Sequence, residues 1–287
     1  MLRRKLLALL AQIRLDADAT ELMRRFVSLS DIKKLAGNEF HVLAVGKAAT
    51  GMYEGLVSCV PCKNARVLVL RAKGRPCKPQ VHREFHQLCC DHPLPTERNV
   101  LGAQRAQEFV ASVPAKGSLL VLLSGGASAY LSFPVEGLDL KMLREVTGDL
   151  QRSGASIEEI NMVRKQIERL KGGRLGSMCA AKQVRVAVLS DVLGDKIEVI
   201  GSGPFTGSFV SRKTKDHDAL EVLKMYGLLR KHARIAGYLK REIHNDLEVT
   251  SKKSIKHDVI GSNRTLVDAV ASRCKAMRLR VQHVEYA

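Results

Sequence analysis

A short apolar run that ends abruptly in serine and glycine constrains the fold of this chain more than any other stretch. The sequence at residues 117–130 is GSLLVLLSGGASAY, and its aliphatic run at 119–123 is too short for a surface helix. Such a run is typical of a strand that is buried on both faces in a parallel sheet. Ser124 then marks the carboxyl end of this strand, which is where open α/β sheets bind their ligands.

The two glycines after Ser124 allow two interpretations. Gly125 and Gly126 would let backbone N–H groups approach a phosphate or a carboxylate closely. They would equally supply the unusual φ values of an ordinary strand-to-helix turn. This stretch alone favours the ordinary turn, so the other loops of the chain have to decide between the two.

Further short apolar runs repeat the same pattern along the chain. They lie at residues 41–45, 66–70, 85–90, 184–189 and 257–260, with stretches of helical spacing between them. Strands that alternate with helices predict crossover connections and a mainly parallel sheet. We therefore predict a three-layer α/β/α, Rossmann-like fold in which the loops at Gly46, Ser124, Asp191 and Ser262 gather at one edge of the sheet.

Two helices are predicted beyond Pro134, at residues 140–151 and from Ser156 onwards. Ser156 and Glu159 have the spacing of a capping box at the start of the second helix. We expect its buried stripe to run from Ile160 to Leu170, and the glycines at 172–173 to end it. On the neighbouring flank, helical spacing places together four polar residues, which form either a solvated face or a functional row: Asn161, Arg164, Glu168 and Lys171.

Two further loops carry side chains suited to phosphate chemistry. Lys47 follows the run at 41–45, where a helix N-terminus and a lysine together favour an anion. This loop is not a Walker motif, because the upstream glycine is missing and Ala48 replaces the metal-binding Ser or Thr. Asp191 and Asp195 follow the run at 184–189, and one or two carboxylates together with substrate phosphate suit Mg²⁺.

The charge balance indicates an anionic partner without identifying it. The 287 residues contain 47 Lys and Arg against 29 Asp and Glu, a formal net charge of +18. The chain has no tryptophan and only 4% aromatic residues, so it lacks the stacking side chains typical of single-strand nucleic-acid binding. We favour a solvated basic face and expect only weak, nonspecific binding of nucleic acid.

Seven scattered cysteines without a disulfide framework point to a reducing compartment, and we predict a cytoplasmic protein. No run of 18 or more apolar residues predicts a membrane span. Cysteines and histidines between Cys59 and His92 offer enough zinc ligands, but their spacing disfavours a zinc site. The basic N-terminus would suit a mitochondrial presequence, whereas its helical spacing favours a first helix.

Several loops taken together resemble the glycerate 2-kinases, a family whose second domain is called the MOFRL domain. The motifs are AVGKAATGM, DHPLP, LLSGGASAYL, SGASIEEINMVRKQIERLKGGRL and LSDVLGDKIEVIGSGP, in the family's order. The resemblance extends from the first helix to about Arg280 and implies ATP-dependent phosphorylation of D-glycerate to 2-phosphoglycerate with magnesium. It also implies a first helix at the N-terminus in place of a presequence.

The resemblance assigns roles to residues that match the motifs. Lys47 matches the active-site lysine of the family and is expected to stabilise charge on the transferred phosphoryl group. Asp191 and Asp195 are candidates for binding the metal or for orienting the glycerate hydroxyl, with Asp191 counted among the catalytic residues. The remaining assignments are Ser124, Gly125, Gly126 and Ser128 for ATP phosphate, Arg164 and Lys171 for the glycerate carboxylate, and Asn161 and Asn263 for substrate binding.

The chain also departs from the family pattern. Ala127 stands where a third glycine is usual, Glu168 where a serine is usual, and Phe205 where a threonine is usual. Family members continue into a glycine-rich second domain, so residues 1–287 are expected to form one N-terminal-type domain without it. Two hypotheses follow: a glycerate kinase of little activity alone, completed by a partner chain or a homodimer, or a non-catalytic anion-binding or regulatory remnant.

Overall fold

A computed structural model describes residues 13, 17–36, 39–78, 82–206, 219–242, 255–279 and 281, and contains one six-stranded sheet. The strands are β1 (Phe40–Val45), β2 (Arg66–Ala72), β3 (Glu84–Cys90), β4 (Ser118–Ser124), β5 (Gln183–Leu189) and β6 (Lys256–Gly261). Their order in the sheet is β3-β2-β1-β4-β5-β6, and all five pairings are parallel. This is the strand order of the Rossmann fold, which confirms the predicted class.

Helices cover both faces of the sheet. They are α1 (Ala19–Leu29), α2 (Ala49–Val57), α3 (Glu97–Ala111), α4 (Ala127–Tyr130), α5 (Leu140–Arg152), α6 (Ile157–Ile167), α7 (Arg174–Ser177), α8 (Ala219–Met225), α9 (Ala233–Glu242) and α10 (Asn263–Ala276). Short 3₁₀ turns occur at Ile32–Leu35, Leu193–Asp195 and Ile200–Ser202. Helices α3, α4 and α7 pack into a first core on one face, and α1 and α2 into a second core on the other. A third core joins α5, α6, α8 and α9.

The β4 strand shows why its sequence is aliphatic on both faces. All seven of its residues are buried, as are all six of β1 beside it. Leu119 and Val121 contribute to the first core, whereas Leu120 and Leu122 contribute to the second. The prediction of a strand buried on both faces is confirmed.

The second of the two predicted helices begins where its capping box indicated. The Ser156 hydroxyl accepts a hydrogen bond from the Glu159 amide at 3.2 Å, and the Glu159 carboxylate accepts one from the Ser156 amide at 2.7 Å. Both orphan N–H groups at this helix end are thereby satisfied. The first of the pair, α5, likewise begins at Leu140 as predicted.

The prediction that this second helix continues to Leu170 was wrong. Helix α6 ends at Ile167, and Glu168 is extended, with φ −123° and ψ 138°. Glu168 forms an antiparallel bridge with Pro134, and the Arg169 amide donates to the Phe133 carbonyl at 2.8 Å. Because these backbone groups pair with residues distant in sequence, the helical spacing does not govern the chain after Ile167. Glu168 and Lys171 therefore do not share a helix flank with Asn161 and Arg164.

The cysteines lie in different parts of the fold and all seven are free. Cys62 and Cys77 belong to the second core, whereas Cys90 belongs to the first, on the opposite face of the sheet. Burial raises the pKa of Cys62 and of Cys90 to about 12 in each case, so both are held as thiols. Thiols separated by the sheet cannot bind one zinc ion together.

Two predictions concern residues outside those described. Residues 1–12, most of the predicted first helix, are among them, although its later positions Leu22, Phe26 and Val27 lie in α1. The sequence also predicts a last strand at residues 279–284, LRVQHV, and this run lies largely outside them as well. Within the described ranges, every helix is too short or too polar to cross a bilayer.

Candidate active site

The carboxyl edge of the sheet brings together the loops that the sequence singled out. Lys47 follows β1, Ser124 ends β4, Asp191 follows β5 and Ser262 follows β6. These four strands are neighbours in the sheet and run in the same direction. The chain order reverses between β1 and β4, and ligands of such sheets bind beside that reversal.

The loops after β1 and β4 are bound directly to each other. The Lys47 amide donates to the Gly125 carbonyl at 2.9 Å, and the Ala48 amide donates to the Ser124 hydroxyl at 3.1 Å. Gly46 has φ +119°, and a Cβ there would lie 2.5 Å from the Ser124 carbonyl oxygen. Only glycine fits at this close approach to Ser124. The two hydrogen bonds from backbone amides then fix the position of Lys47 relative to the glycine turn.

The contact between Lys47 and Asp191 spans two strand ends. The Lys47 Nζ atom lies 3.3 Å from Asp191 Oδ2, and the two side chains are 49% and 52% exposed. The Asp191 carboxylate occupies the space beside Gly125 where a Cβ atom would stand. The absence of a side chain at Gly125 therefore allows the Asp191 carboxylate, 66 residues further along the chain, to take this position.

His92 completes this side of the site and was not among the predicted site residues. Gly126 has φ +84°, and a Cβ there would lie 3.0 Å from His92 Cδ2 and 3.1 Å from Lys47 Cγ. Burial and the Lys47 ammonium lower the pKa of His92, while Asp191 partly offsets them. The DHPLP motif follows a strand end, like the other site loops, and that was the available signal.

A buried asparagine fixes the loop that carries His92. The Asn99 Nδ2 atom donates to the Asp91 carbonyl at 2.8 Å and to the Ala129 carbonyl at 3.0 Å. Its Oδ1 atom accepts from the amides of Asp91 and Thr96 at 3.1 and 3.0 Å. With all of these groups satisfied, the DHPLP loop and the short helix α4 are held at a fixed separation.

Two cations bind Ser128 from behind the glycine turn. Arg164 donates from Nη1 to the Ser128 hydroxyl at 2.7 Å and from Nη2 to the Ser128 carbonyl at 3.0 Å. Lys171 donates from Nζ to the same carbonyl at 2.6 Å. Both cations that the resemblance assigned to the glycerate carboxylate are thus hydrogen-bonded to the protein itself.

Glu168 lies between these two cations. Its Oε1 atom accepts from Arg164 Nε at 2.8 Å, and its Oε2 atom lies 3.7 Å from Lys171 Nζ. Glu168 and Lys171 are fully buried. Burial lowers the pKa of Lys171 to about 7, although the Glu168 carboxylate acts in the opposite direction. The departure from the family pattern at Glu168 therefore supplies the counter-ion of this cluster.

Asn161 reaches Ser128 through Ser202, in the 3₁₀ turn Ile200–Ser202. The Ser202 hydroxyl donates to Asn161 Oδ1 at 2.7 Å and lies 2.8 Å from the Ser128 hydroxyl. Asn161 Nδ2 and Glu168 Oε2 are buried without a hydrogen-bond partner among the described residues. The two other departures from the family pattern, Ala127 and Phe205, are buried in the first core.

Asp195 and Asn263 lie further along the same edge. Asp195 is in the 3₁₀ turn after β5 with φ +52°, and Asn263 is the first residue of α10 after β6. Among the residues that the structure describes, no three His, Cys, Asp or Glu side chains form a metal-binding group. Mg²⁺ commonly takes one or two carboxylates, with phosphate oxygens and water as its other ligands, and Asp191 fits that donor set.

The fold and this edge define an α/β protein of Rossmann strand order with a lysine–carboxylate site. A family model described as a domain of unknown function, DUF4147, matches residues 6–240, and the chain belongs to this family. The chain is 30% identical over 272 residues to a glycerate 2-kinase of Pyrococcus horikoshii, covering 91% of this chain and 60% of the relative. It is 34% identical over 246 residues to a D-glycerate 2-kinase of Thermotoga maritima, covering 85% of this chain and 56% of the relative.

Solved structures agree with these relatives. A Pyrococcus horikoshii protein superposes with a TM-score of 0.80 at 27% identity, covering 96% of this chain and 64% of that one. The glycerate kinase of Thermotoga maritima superposes with a TM-score of 0.74 at 28% identity, covering 96% and 63%. The resemblance to the glycerate 2-kinases is confirmed, and the chain spans about 60% of the length of these two curated relatives.

Proposed function

We propose that this chain carries the nucleotide and acceptor site of a kinase that transfers the γ-phosphoryl group of ATP to D-glycerate. The 2-hydroxyl oxygen forms the new bond to phosphorus, ADP leaves, and 2-phosphoglycerate is the product. The observation that carries this proposal is the Lys47–Asp191 contact beside the glycine turn, in a chain whose curated relatives include glycerate kinases. We infer that the non-catalytic alternative does not describe this chain.

Lys47 is assigned to the transferred phosphoryl group. Phosphoryl transfer depends mainly on positioning and on charge stabilisation, since little covalent chemistry is left to the protein. A lysine fixed by its own backbone contact to Gly125 brings its charge to the reaction without further rearrangement. His92, beside it, contributes a second polar group whose lowered pKa favours the neutral ring.

The turn formed by Ser124, Gly125 and Gly126 is assigned to ATP phosphate. Backbone N–H groups of such a glycine turn would supply the donors for a phosphate, and Ser128 follows within α4. Arg164, Lys171 and Asn161 support this turn by holding Ser128 in place, directly or through Ser202. A direct contact from Lys171 to the glycerate carboxylate would require a rearrangement, because its side chain is fully buried.

Asp191 is assigned to the acceptor or to the metal. At 3.3 Å from Lys47 Nζ, its carboxylate can accept the proton of the glycerate hydroxyl or bind Mg²⁺. Bound Mg²⁺ would neutralise negative charge on the phosphate oxygens. Asp195 and Asn263 are assigned to the metal and to the substrate, respectively.

We further propose that another protein surface closes this site. Lys47 and Asp191 are each about half exposed, whereas phosphoryl transfer benefits from the exclusion of water. That surface would come from a further domain, a partner chain or a second copy. A cytoplasmic location, consistent with seven free cysteines, belongs to the same proposal.

The test measures ATP binding and glycerate-dependent ADP release for wild type and Lys47→Ala. Lys141→Ala is the matched control, because Lys141 is an 83% exposed lysine on α5. We expect Lys47→Ala to weaken ATP binding about ten-fold, equivalent to about 1.4 kcal/mol, and Lys141→Ala to leave it unchanged. An absence of ATP binding in the wild type would overturn the kinase proposal.

Turnover tests the closing surface separately. We expect little ADP release from the 287 residues alone, and more when the unmatched part of a curated relative is added. Robust turnover by the 287 residues alone would overturn the need for another surface and leave the kinase proposal standing.

A further inference from the structure

A cavity of about 500 Å³ adjoins Lys47 on the side of the sheet away from Ser128. Ala48 and Leu189 of its lining pack against the second core, whereas Ala127 and Ala129, which flank Ser128 in α4, belong to the first core. Lys47 lines the cavity and also lies beside Gly126 of the phosphate turn. The lysine therefore stands between this open cavity and the turn assigned to phosphate.

The lining of the cavity is mainly apolar and includes two cationic side chains. Ala48, Gly51, Leu189 and Leu266 supply apolar surface, and Arg75 and Lys47 are the two cations on the lining. Gly51 brings its backbone to the wall, and a Cβ there would lie 3.1 Å from the Ala19 Cβ atom. A volume of this size is in the range of small-molecule sites, which combine mainly apolar walls with a few polar groups.

The acid on the lining is already engaged. The Asp18 carboxylate accepts hydrogen bonds from the amides of Thr20 and Glu21 at 2.9 and 3.2 Å, where it caps α1. Arg75 and the half-exposed Lys47, which also contacts Asp191, are the cations that would meet an anionic ligand, while the walls meet an apolar one. The cavity fits a molecule with an apolar part and an attached anionic part.

We propose that this cavity binds the purine nucleoside part of the phosphoryl donor, an inference that rests on the proposed kinase function. Of the two reactants, glycerate is a three-carbon polar anion with no apolar surface to bury, whereas a nucleotide carries a planar ring joined to phosphates. The ring lies against Leu189 and Leu266, and the phosphate chain runs past Arg75 and Lys47 to the turn at Gly125. The donor thus reaches Lys47 from the face of the sheet away from Ser128.

The experiment compares binding of ATP and of inorganic tripolyphosphate to the full chain by titration calorimetry. We expect wild type to bind ATP at least about ten-fold more tightly than tripolyphosphate, because only ATP buries a ring in the cavity. Leu266→Trp fills the cavity from a side chain that is 39% exposed, so it leaves the core intact. We expect it to remove this preference while tripolyphosphate affinity stays the same.

Leu101→Trp is the matched control, a 48% exposed leucine on α3 at the other face of the sheet. It should retain the full preference for ATP. Equal affinity of wild type for ATP and tripolyphosphate, or an unchanged preference in Leu266→Trp, would overturn the cavity assignment without affecting the kinase proposal. Failure to bind either anion would overturn both.

A second measurement holds even if Leu266→Trp does not fold. An azido-adenine analogue of ATP, photolysed on the wild-type chain, should label peptides that contain Ala48, Leu189 or Leu266. Excess ATP should suppress this labelling, whereas excess D-glycerate should not. Labelling confined to other peptides would refute the assignment.

Discussion

Replacing Gly125 by alanine tests whether the position of Asp191 matters for function independently of stability. A Cβ at this position would overlap the Asp191 carboxylate, so the carboxylate has to move. It can do so, because the Asp191 side chain is 52% exposed and Gly125 is not among the residues with positive φ. We therefore expect the variant to fold and to lose the 3.3 Å contact with Lys47.

The expected change in stability is small, because the Lys47 and Asp191 side chains are both about half exposed. An ion pair between two half-exposed side chains contributes roughly 0–1 kcal/mol. Replacing glycine by alanine restores about 0.4–1 kcal/mol by restricting the unfolded chain. The two effects nearly cancel, so the melting temperature should stay within about 4 °C of wild type for a chain of this size.

Magnesium dependence is the functional measurement for Gly125→Ala. If Asp191 helps to bind Mg²⁺ with ATP phosphate, then adding Mg²⁺ should strengthen ATP binding by wild type. The factor by which Mg²⁺ strengthens ATP binding should be about ten-fold smaller for the variant. Binding of metal-free ATP, measured in parallel, reports the effect of the added methyl group on the phosphate turn itself and is compared separately. Gly237→Ala in α9 is the control, since a Cβ there meets nothing within 4 Å. An unchanged magnesium effect, or a melting temperature lowered far beyond this range, would refute the reasoning.

Two further predictions concern the buried cluster. Glu168→Ala leaves Lys171 and Arg164 without their buried counter-ion, so it should lower the free energy of unfolding, measured in urea, by roughly 3–5 kcal/mol. Adding Lys171→Met to this variant should restore part of the loss. A loss below about 1 kcal/mol in Glu168→Ala would contradict this reasoning. Because the pKa of Lys171 is lowered from 10.5 to about 7, the unfolded chain holds a proton that the folded chain has released between these pH values. Lys171 should therefore add to the free energy of unfolding as pH rises through that window. In urea unfolding, the stability of wild type relative to Lys171→Met should increase between pH 7 and about pH 9. Parallel pH profiles of the two proteins would contradict this.

Local patterns in the sequence were sufficient for the layers of this fold. Residues 119–123 are aliphatic at every position because β4 has a core on each face, and this composition identifies a central parallel strand. Once the strands are parallel, their carboxyl ends share an edge, so Lys47, Ser124 and Asp191 could be predicted to meet. The capping box at Ser156 was predictable as well, because it depends only on two residues that lie three positions apart in the chain.

The tertiary structure alone decided how the side chains at that edge contact each other. Helical spacing placed Glu168 on a flank of α6, but pairing with Pro134 turned the chain and buried its carboxylate between Arg164 and Lys171. The sequence could place Lys47 at a ligand site, but not the cavity beside it, whose walls come from α2, β5 and α10. Periodicity reports only which neighbours a residue has along the chain. Contacts between distant segments depend on how the layers pack, and that information lies in no single stretch of the sequence.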